Sequence, residues 1–423
     1  MRIVPYRILL FFARTWTILA TTLIIYSALY LPEAAESTDY VMTFYVAGHL
    51  AASGRATDLY PETNVLSFTG SPFDKAAHAL LTNLPPNLTA AYMHSPLVAW
   101  IFSPLSHLAP NLSLLLWQGL SLVGLAICCG ILAHIHDSKT SDILFLSFLL
   151  FPVFITLWIG QLSIVFGLLP LCTGFLLLMK SRPFLAGLAW SFVSLKPQYL
   201  PAVGLVGSAL ALAGRPHCLV GLVLGSAVLL LANLVIFPQE TTLKWLSSLR
   251  AADASYSSGF YNVPTHLITS LPSNLLMLFP VDQRASLKLP LYALAAGLWL
   301  IALWQCWRLA RTHLDPRSKI FLMGLLAVVL LPLVPPHMLY YDLCLFLPAG
   351  IALMERRPQM PEQFHLRRLT LIISTAISLY FPFFLSFSPN AALPLGLVSL
   401  LLASFILILA MTNRISRASW MLL

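Results

Sequence analysis

Charged residues are scarce in this chain, so the placement of each carboxylate, ammonium and imidazole is informative. In "STDYVMT", Asp39 stands beside Tyr40, a few residues beyond the first long apolar run. A carboxylate there can serve as a general base on a hydroxyl. It can equally cap a helix or sit in solvent, because Ser37, Thr38 and Asp39 are all good N-cap residues. Tyr40, Phe44 and Tyr45 follow at helical spacing. Such aromatics anchor at membrane interfaces, and their faces also suit sugar rings.

Two further stretches offer groups for an anion. In "SLKPQYLP", Lys196 ends one apolar run and precedes Pro197, where the backbone should break. Lys196 can bind an anion in a cavity or simply snorkel to water. In "LPLVPPHMLYYDLCLFLP", Pro335 and Pro336 end one helix, and His337, Tyr340, Tyr341 and Asp342 begin the next. His337 can contact phosphate or orient a carboxylate. The plainer reading is an interfacial His with an acidic residue in a first helical turn, where the dipole favours it. Also notable are Arg55 in "ASGRATDLYP", His94 in "AYMHSPL", Gln161 in "IGQLSIV" and Asn262 in "YNVPTHL". Gln161 lies between two apolar runs, where a polar turn residue is expected in any case. Asn87 and Asn111 match glycosylation sequons, which matter only in a eukaryotic secretory setting.

The elements that must hold these residues are membrane helices. The chain has 423 residues, 59% hydrophobic and 9% charged, with mean hydropathy +0.84. A soluble domain carries about 25% charged residues. Leu-rich runs of about 17–23 residues recur throughout, which marks a polytopic all-α membrane protein. The expected spans are 8–30, 112–134, 143–159, 162–179, 184–195, 199–213, 217–237, 287–309, 320–334, 338–354, 369–387 and 391–411. They form a single multi-spanning domain, 1–423, of about twelve helices. The 184–195 span is short and ends in "LKPQYLP", as half of a broken helix would. The N-terminal run reads as the first span rather than a cleaved signal.

Charge placement orients the array. The N-terminus, Arg14 and the loops on the N-terminal side together hold 17 of the 24 Lys and Arg. That bias puts both termini in the cytoplasm. The segments 31–111 and 238–286 then lie outside, as amphipathic and re-entrant pieces. "FYVAGHLAASG" reads as a short amphipathic helix. "SPLVAWIFSPLSHL" is too short to span and reads as interfacial or re-entrant. The net charge of +9 therefore reflects topology and does not point to nucleic acid. The six cysteines lie in or at the edges of apolar runs, so no disulfide framework is indicated. There is no zinc-type spacing, no phosphate-cradling Gly-rich loop and no outer-face Asp-x-Asp pair, so no metal is expected.

Taken in order, the pieces resemble glycosyltransferase family 87 (GT87), multi-spanning enzymes of the GT-C fold that use polyprenol-phosphate sugars. The resemblance rests on the Asp after the first span, "FYVAGHLAASGRATDLYP", a "Tyr-x-x-Ser-Pro-Leu" segment leading to "FSPL", "GQLS", "GLAWSFVSLKPQ" and "PPHMLYYD". It covers roughly residues 37–345. It implies an inner-membrane α-mannosyltransferase-like hexosyltransferase that acts at the outer face on a glycan or glycolipid acceptor. By the same resemblance Asp39 is the catalytic residue, Lys196-Pro197 is the Lys-Pro pair, and His337, Tyr341 and Asp342 match the late cluster. Asn262 matches a family Asn, although Val263 and Pro264 replace the usual Gln and Ser. His94 and Ser95-Pro96 stand where Tyr and Pro-Pro are common.

The chemistry suits this residue supply. A phosphate leaves without a general acid, so one carboxylate suffices, whereas a glycosidase generally pairs two. Asp39 would take the acceptor proton, and Lys196, His337 and Arg55 would neutralise the donor phosphate. Tyr40, Tyr45, His94, Gln161, Asn262, Tyr341 and Asp342 would contact sugar or acceptor. The lipid tail would lie between helices, and no cofactor is called for. The alternatives are a lipid-linked saccharide transporter (flippase) and an envelope glycan polymerase or ligase. The former needs polar residues along several mid-spans, and the latter usually has Arg-rich outer loops. Here mid-span charges are nearly absent and Arg55, Arg250 and Arg284 are scattered.

Overall fold

The computed structural model describes residues 6–63, 65, 67–258, 267–352, 372–380 and 392–420. Helix dominates the regular structure among them. An isolated antiparallel bridge joins Ile268 and Leu339. The protein is thus an all-α membrane protein, as its apolar periodicity predicts.

Five described helices are long and apolar enough to cross a bilayer: Arg7–Tyr30, Pro110–His136, His217–Ile236, Val281–Ala310 and Leu397–Ile415. A sixth candidate is the pair Thr140–Ser147 and Phe151–Trp158, bent by 81° at its break. Pro152 explains the break. Its ring cannot follow a helical turn, so it falls in the first turn of a new helix. Other expected spans are also interrupted. The one at 162–179 begins as a π-helix, Ser163–Leu168, and continues as the α-helix Leu169–Met179. The one at 184–195 is the α-helix Pro183–Ser191 followed by the 3₁₀ turn Phe192–Leu195. The one at 338–354 is the 3₁₀ stretch Tyr340–Phe346 followed by the short helix Leu347–Ala352. Most of the expected 369–387 span lies outside the described residues.

The chain divides into two compact units. The first holds residues 1–124, 154–162 and 227–263. Between its first two long helices lies a layer of short helices. Proline opens three of them, Pro32–Glu36, Pro72–Leu80 and Pro96–Phe102, at the position where a missing N–H costs nothing. Buried carboxylates stitch the loops between them. Asp74 accepts from the backbone N–H of Gly70 and of Ala90, both at 2.8 Å. Glu36 accepts from the backbone and side-chain nitrogens of Asn83 at 2.6 and 2.8 Å. Phe44, Tyr60, Phe73, Tyr92 and Phe102 fill the space beneath, burying large aromatic area. The helix Gln239–Ser258 lies on this layer, with Lys244 paired to Glu62 at 3.0 Å and to Glu240 at 3.3 Å. Burial works against the Lys244 charge, but the two carboxylates outweigh it and raise its pKa.

The second unit holds residues 125–153, 163–226 and 264–423. Here the helices Leu169–Met179 and Pro183–Ser191 pack together, with Trp190 edge-on to Phe175 at 5.3 Å. Trp299 of Val281–Ala310 donates to the Pro201 carbonyl at 2.9 Å, and Arg308 donates to Asn413 at 2.6 Å. All six cysteines of the chain are buried and unbridged.

Candidate functional site

In the first unit the candidate base is built from the end of the short helix Pro32–Glu36. Ser37 closes that helix, and Thr38 turns its hydroxyl back to the Ala35 carbonyl at 2.7 Å. The Thr38 Oγ1 also accepts from the Val41 N–H at 3.3 Å. Thr38 therefore does the capping for the π-helix Tyr40–Tyr45. Asp39 stands at the nominal N-cap but makes no side-chain cap bond. Its half-buried carboxylate accepts from the Gln161 amide nitrogen at 2.7 Å instead. Of the readings that the sequence leaves open for Asp39, base, cap or solvated residue, the geometry removes the cap.

The partner segment, Ile159-Gly160-Gln161, is shaped for this role. The Ile159 carbonyl accepts from the Tyr40 N–H at 3.0 Å. The Gly160 carbonyl accepts from Trp117 at 2.8 Å, and the Trp158 carbonyl from Gln118 at 2.9 Å. Gly160 has φ +68, and a Cβ there would meet the Tyr40 Cβ at 2.5 Å. Only glycine satisfies both constraints. The Gln161 Oε1 accepts from the Leu162 N–H at 3.2 Å, which fixes the amide so that its nitrogen faces Asp39. Gln161, expected to be a sugar or acceptor contact or a plain turn residue, is thus the hydrogen-bond partner of Asp39.

The aromatics after Asp39 are turned inward. Tyr40 is fully buried, its hydroxyl paired with Ser113 at 2.8 Å and its ring packed against Phe102 and Trp117. Burial pushes its phenol above the ordinary value, only partly offset by the Ser113 bond, so it stays neutral. Tyr45 is also buried and donates to the Leu108 carbonyl at 2.9 Å. The expected sugar contacts at Tyr40 and Tyr45 thus meet rings that pack inside the layer. The reason is the π-helical turn, which brings both rings onto the same buried side as Phe44.

His94 is half-buried against Phe44, with ring centroids 5.0 Å apart. Three consecutive carbonyls pin its backbone. That of Met93 accepts from Trp245, that of His94 from Tyr60, and that of Ser95 from Tyr92, at 3.2, 2.6 and 2.8 Å. Arg55 lies on the turn after the helix Val46–Ala52 and pairs with Asp58 through both Nε and a terminal nitrogen, each at 2.9 Å. Its charge is therefore already matched, at an exposed position where such pairs are weak. Asn262 lies outside the described residues.

In the second unit a different cluster forms. Lys196 sits between two 3₁₀ turns, Phe192–Leu195 and Pro197–Tyr199, with extended φ of −134. Pro197 imposes that break, as expected. Lys196 is 1% exposed, so it does not snorkel. Its ammonium donates to Asp342 at 2.6 Å and to Ser163 at 2.8 Å, and lies over the Tyr341 ring at 4.8 Å. Asp342 has no exposed surface. Its carboxylate also accepts from Ser163 at 2.8 Å, from the Tyr199 hydroxyl, and from the Leu339 N–H at 3.2 Å. The last bond is the first-turn role read from the sequence. Gly167, on the π-helix, makes room for the Tyr199 ring, since a Cβ there would stand 2.6 Å from it. The expected donor phosphate thus meets a cation that already has a carboxylate partner. The expected sugar contact at Asp342 has no surface to offer.

His337 lies in the same unit, on the stretch between the helix Pro316–Leu330 and Tyr340–Phe346. The carbonyls around it are held from one neighbouring segment. That of Pro335 accepts from Ser270 at 2.7 Å, that of Pro336 from Ser273, and that of Met338 from the Thr269 N–H at 2.8 Å. Sequence reading missed Ser163, Tyr199, Ser270 and Ser273. Ser163 and Tyr199 do carry a signal, since they sit inside "GQLS" and "KPQY" beside Gln161 and Lys196.

The family model of glycosyltransferase family 87 matches residues 92–333, more than half of the chain. The match contains His94, Gln161 and Lys196, while Asp39 precedes it and His337, Tyr341 and Asp342 follow it. No curated protein and no solved structure gives a significant match. The chain belongs to glycosyltransferase family 87 and, with several helices long and apolar enough to cross a bilayer, is a membrane glycosyltransferase.

Proposed function

We propose that this enzyme moves a sugar, mannose or a related hexose or pentose, from a polyprenyl phosphate to an envelope glycan or glycolipid. The reaction is placed at the outer, periplasmic face of the inner membrane, with both termini cytoplasmic. Asp39 is the base that takes the acceptor proton, and the displacement inverts the anomeric centre. The observation that carries this reading is the carboxylate released from capping by Thr38 and oriented by Gln161 at 2.7 Å. A base must be held within hydrogen-bond reach of its proton, and a side chain occupied in a helix cap is not available.

The donor phosphate departs as a stable anion and needs stabilisation of charge rather than a proton. His337 and Lys196 are the groups proposed for it, with Arg55 at the exposed edge of its own turn. Lys196 reaches that role only by loosening its bond to Asp342, so the donor would bind with the pair opened. No cofactor enters the scheme. Family membership supports an enzyme over the transporter alternative.

The test is transfer in membrane vesicles supplied with defined polyprenyl-phosphate sugars, with products read by mass spectrometry. Asp39→Asn is expected to lower turnover by about 10²–10⁴-fold, with the protein still accumulating in the membrane. Wild-type turnover in that variant would overturn the assignment of the base.

A further inference from the structure

The helix Gln239–Ser258 has two unlike faces. One is buried on the loop layer of its unit: Thr241, Lys244, Ser248 and Ala252 pack inward, and Trp245 donates to the Met93 carbonyl. The opposite face presents Leu243, Leu246 and Leu249, which are 55%, 49% and 36% exposed. At 100° per residue these leucines cover an arc of about 120° centred away from the buried side. Water is a poor solvent for such a stripe.

Its continuity with the membrane span says what covers it. The helix begins three residues after His217–Ile236 ends, across the Phe237-Pro238 corner. That span is lipid-facing, with Val228, Leu231 and Val235 exposed. Asn233, in its last turn, fixes the corner. Its amide oxygen accepts from the Leu97 N–H at 3.0 Å, and its nitrogen donates to Thr242 at 3.3 Å. The same bond satisfies an orphan N–H at the start of Pro96–Phe102, whose Trp100 is also exposed. Trp is the side chain most at home at the lipid–water boundary. Arg250, exposed one turn beyond Leu246, adds a cation for lipid phosphates.

We infer that Gln239–Ser258 lies in the membrane interface, with Leu243, Leu246 and Leu249 sunk among the acyl chains at the end of the span it follows. The bound partner is the bilayer itself. Through Trp245 and Met93, this surface ties the segment carrying His94 to the lipid boundary. Such helices sit about 5–10 Å into the headgroup–acyl region.

The experiment is photo-crosslinking of the full chain in vesicles of phosphatidylethanolamine and phosphatidylglycerol. A benzophenone amino acid replaces Leu243, Leu246 or Leu249 one at a time, with Val228 on the span as the lipid-facing standard and Glu62 as the water-facing one. Lipid adducts at the three leucines in yields comparable to Val228, with none at Glu62, are expected. Adducts at Val228 without adducts at the leucines would place the stripe in water and overturn the inference. Adducts between two copies of the chain would overturn it in favour of self-association. Neither readout depends on which sugar or acceptor the enzyme uses.

Discussion

At the scale of single residues, the decisive fact is a division of labour between two neighbours. Thr38 caps the helix start, and Asp39 keeps its carboxylate for Gln161. A charge-assisted hydrogen bond of this kind contributes about 1.5–3 kcal/mol. Gln161→Leu should therefore lower turnover by roughly 10–100-fold with little change in KM, read in vesicle assays. Gln161→Glu separates positioning from mere packing. A second carboxylate beside Asp39 disfavours its charge, so the acidic limb of the pH–rate profile should move to higher pH. An unmoved limb would deny Asp39 the part of base. The Lys196–Asp342 pair belongs to the same scale. Breaking a buried ion pair from one side costs about 3–5 kcal/mol, because it strands the other charge. Lys196→Met should destabilise the fold by about that much in unfolding titrations, and the double replacement Lys196→Met with Asp342→Leu should recover only part of the loss, because Ser163, Tyr199 and the Leu339 N–H lose their acceptor.

At the scale of elements, irregular backbone carries the candidate residues. Asp39 leads into a π-helix, Ser163 starts another, Lys196 separates two 3₁₀ turns, and Asp342 lies in a third. Interruptions of this type free backbone groups and re-aim side chains, and they recur at functional sites. Gly160 is the element on which the Asp39 geometry depends. Gly160→Ala imposes backbone strain of about 1–3 kcal/mol at positive φ, and its methyl collides with the Tyr40 Cβ. The expected outcome is a lowered melting temperature together with loss of transfer, because Tyr40 and Asp39 must shift together. Proline explains many of the breaks and was readable in advance, as Pro197 illustrates. The π-helices were not readable. They add one residue to a turn without a sequence signal of their own, and they change which aromatic faces inward.

At the scale of the whole molecule, the positive-inside bias makes a testable statement about sidedness. A phosphatase domain inserted near Gly70, in the 31–111 layer, should be active outside the cytoplasm, and one inserted near Lys139 should be inactive. The opposite pattern would move the proposed chemistry to the other face. Much of this scale was legible from sequence. Scarce charge and Leu-rich runs are enough to establish a polytopic helical protein, because each span must be apolar over about 30 Å whatever its neighbours are. The ordered short motifs likewise carried the family. Which spans stay straight was less legible: Thr140–Ser147 and Phe151–Trp158 read as one apolar run but bend by 81°. Partnership was not legible at all. Lys196 and Asp342 are 146 residues apart, and Asp39 and Gln161 are 122 apart. Sequence determined which residues could do chemistry, since side-chain type and membrane solubility are local properties. Only the tertiary structure decided that Thr38 rather than Asp39 caps, that Gln161 holds the carboxylate, and that Lys196 is already paired. Hydrogen bonds form between groups that the fold brings within about 3 Å, and chain order does not encode that distance.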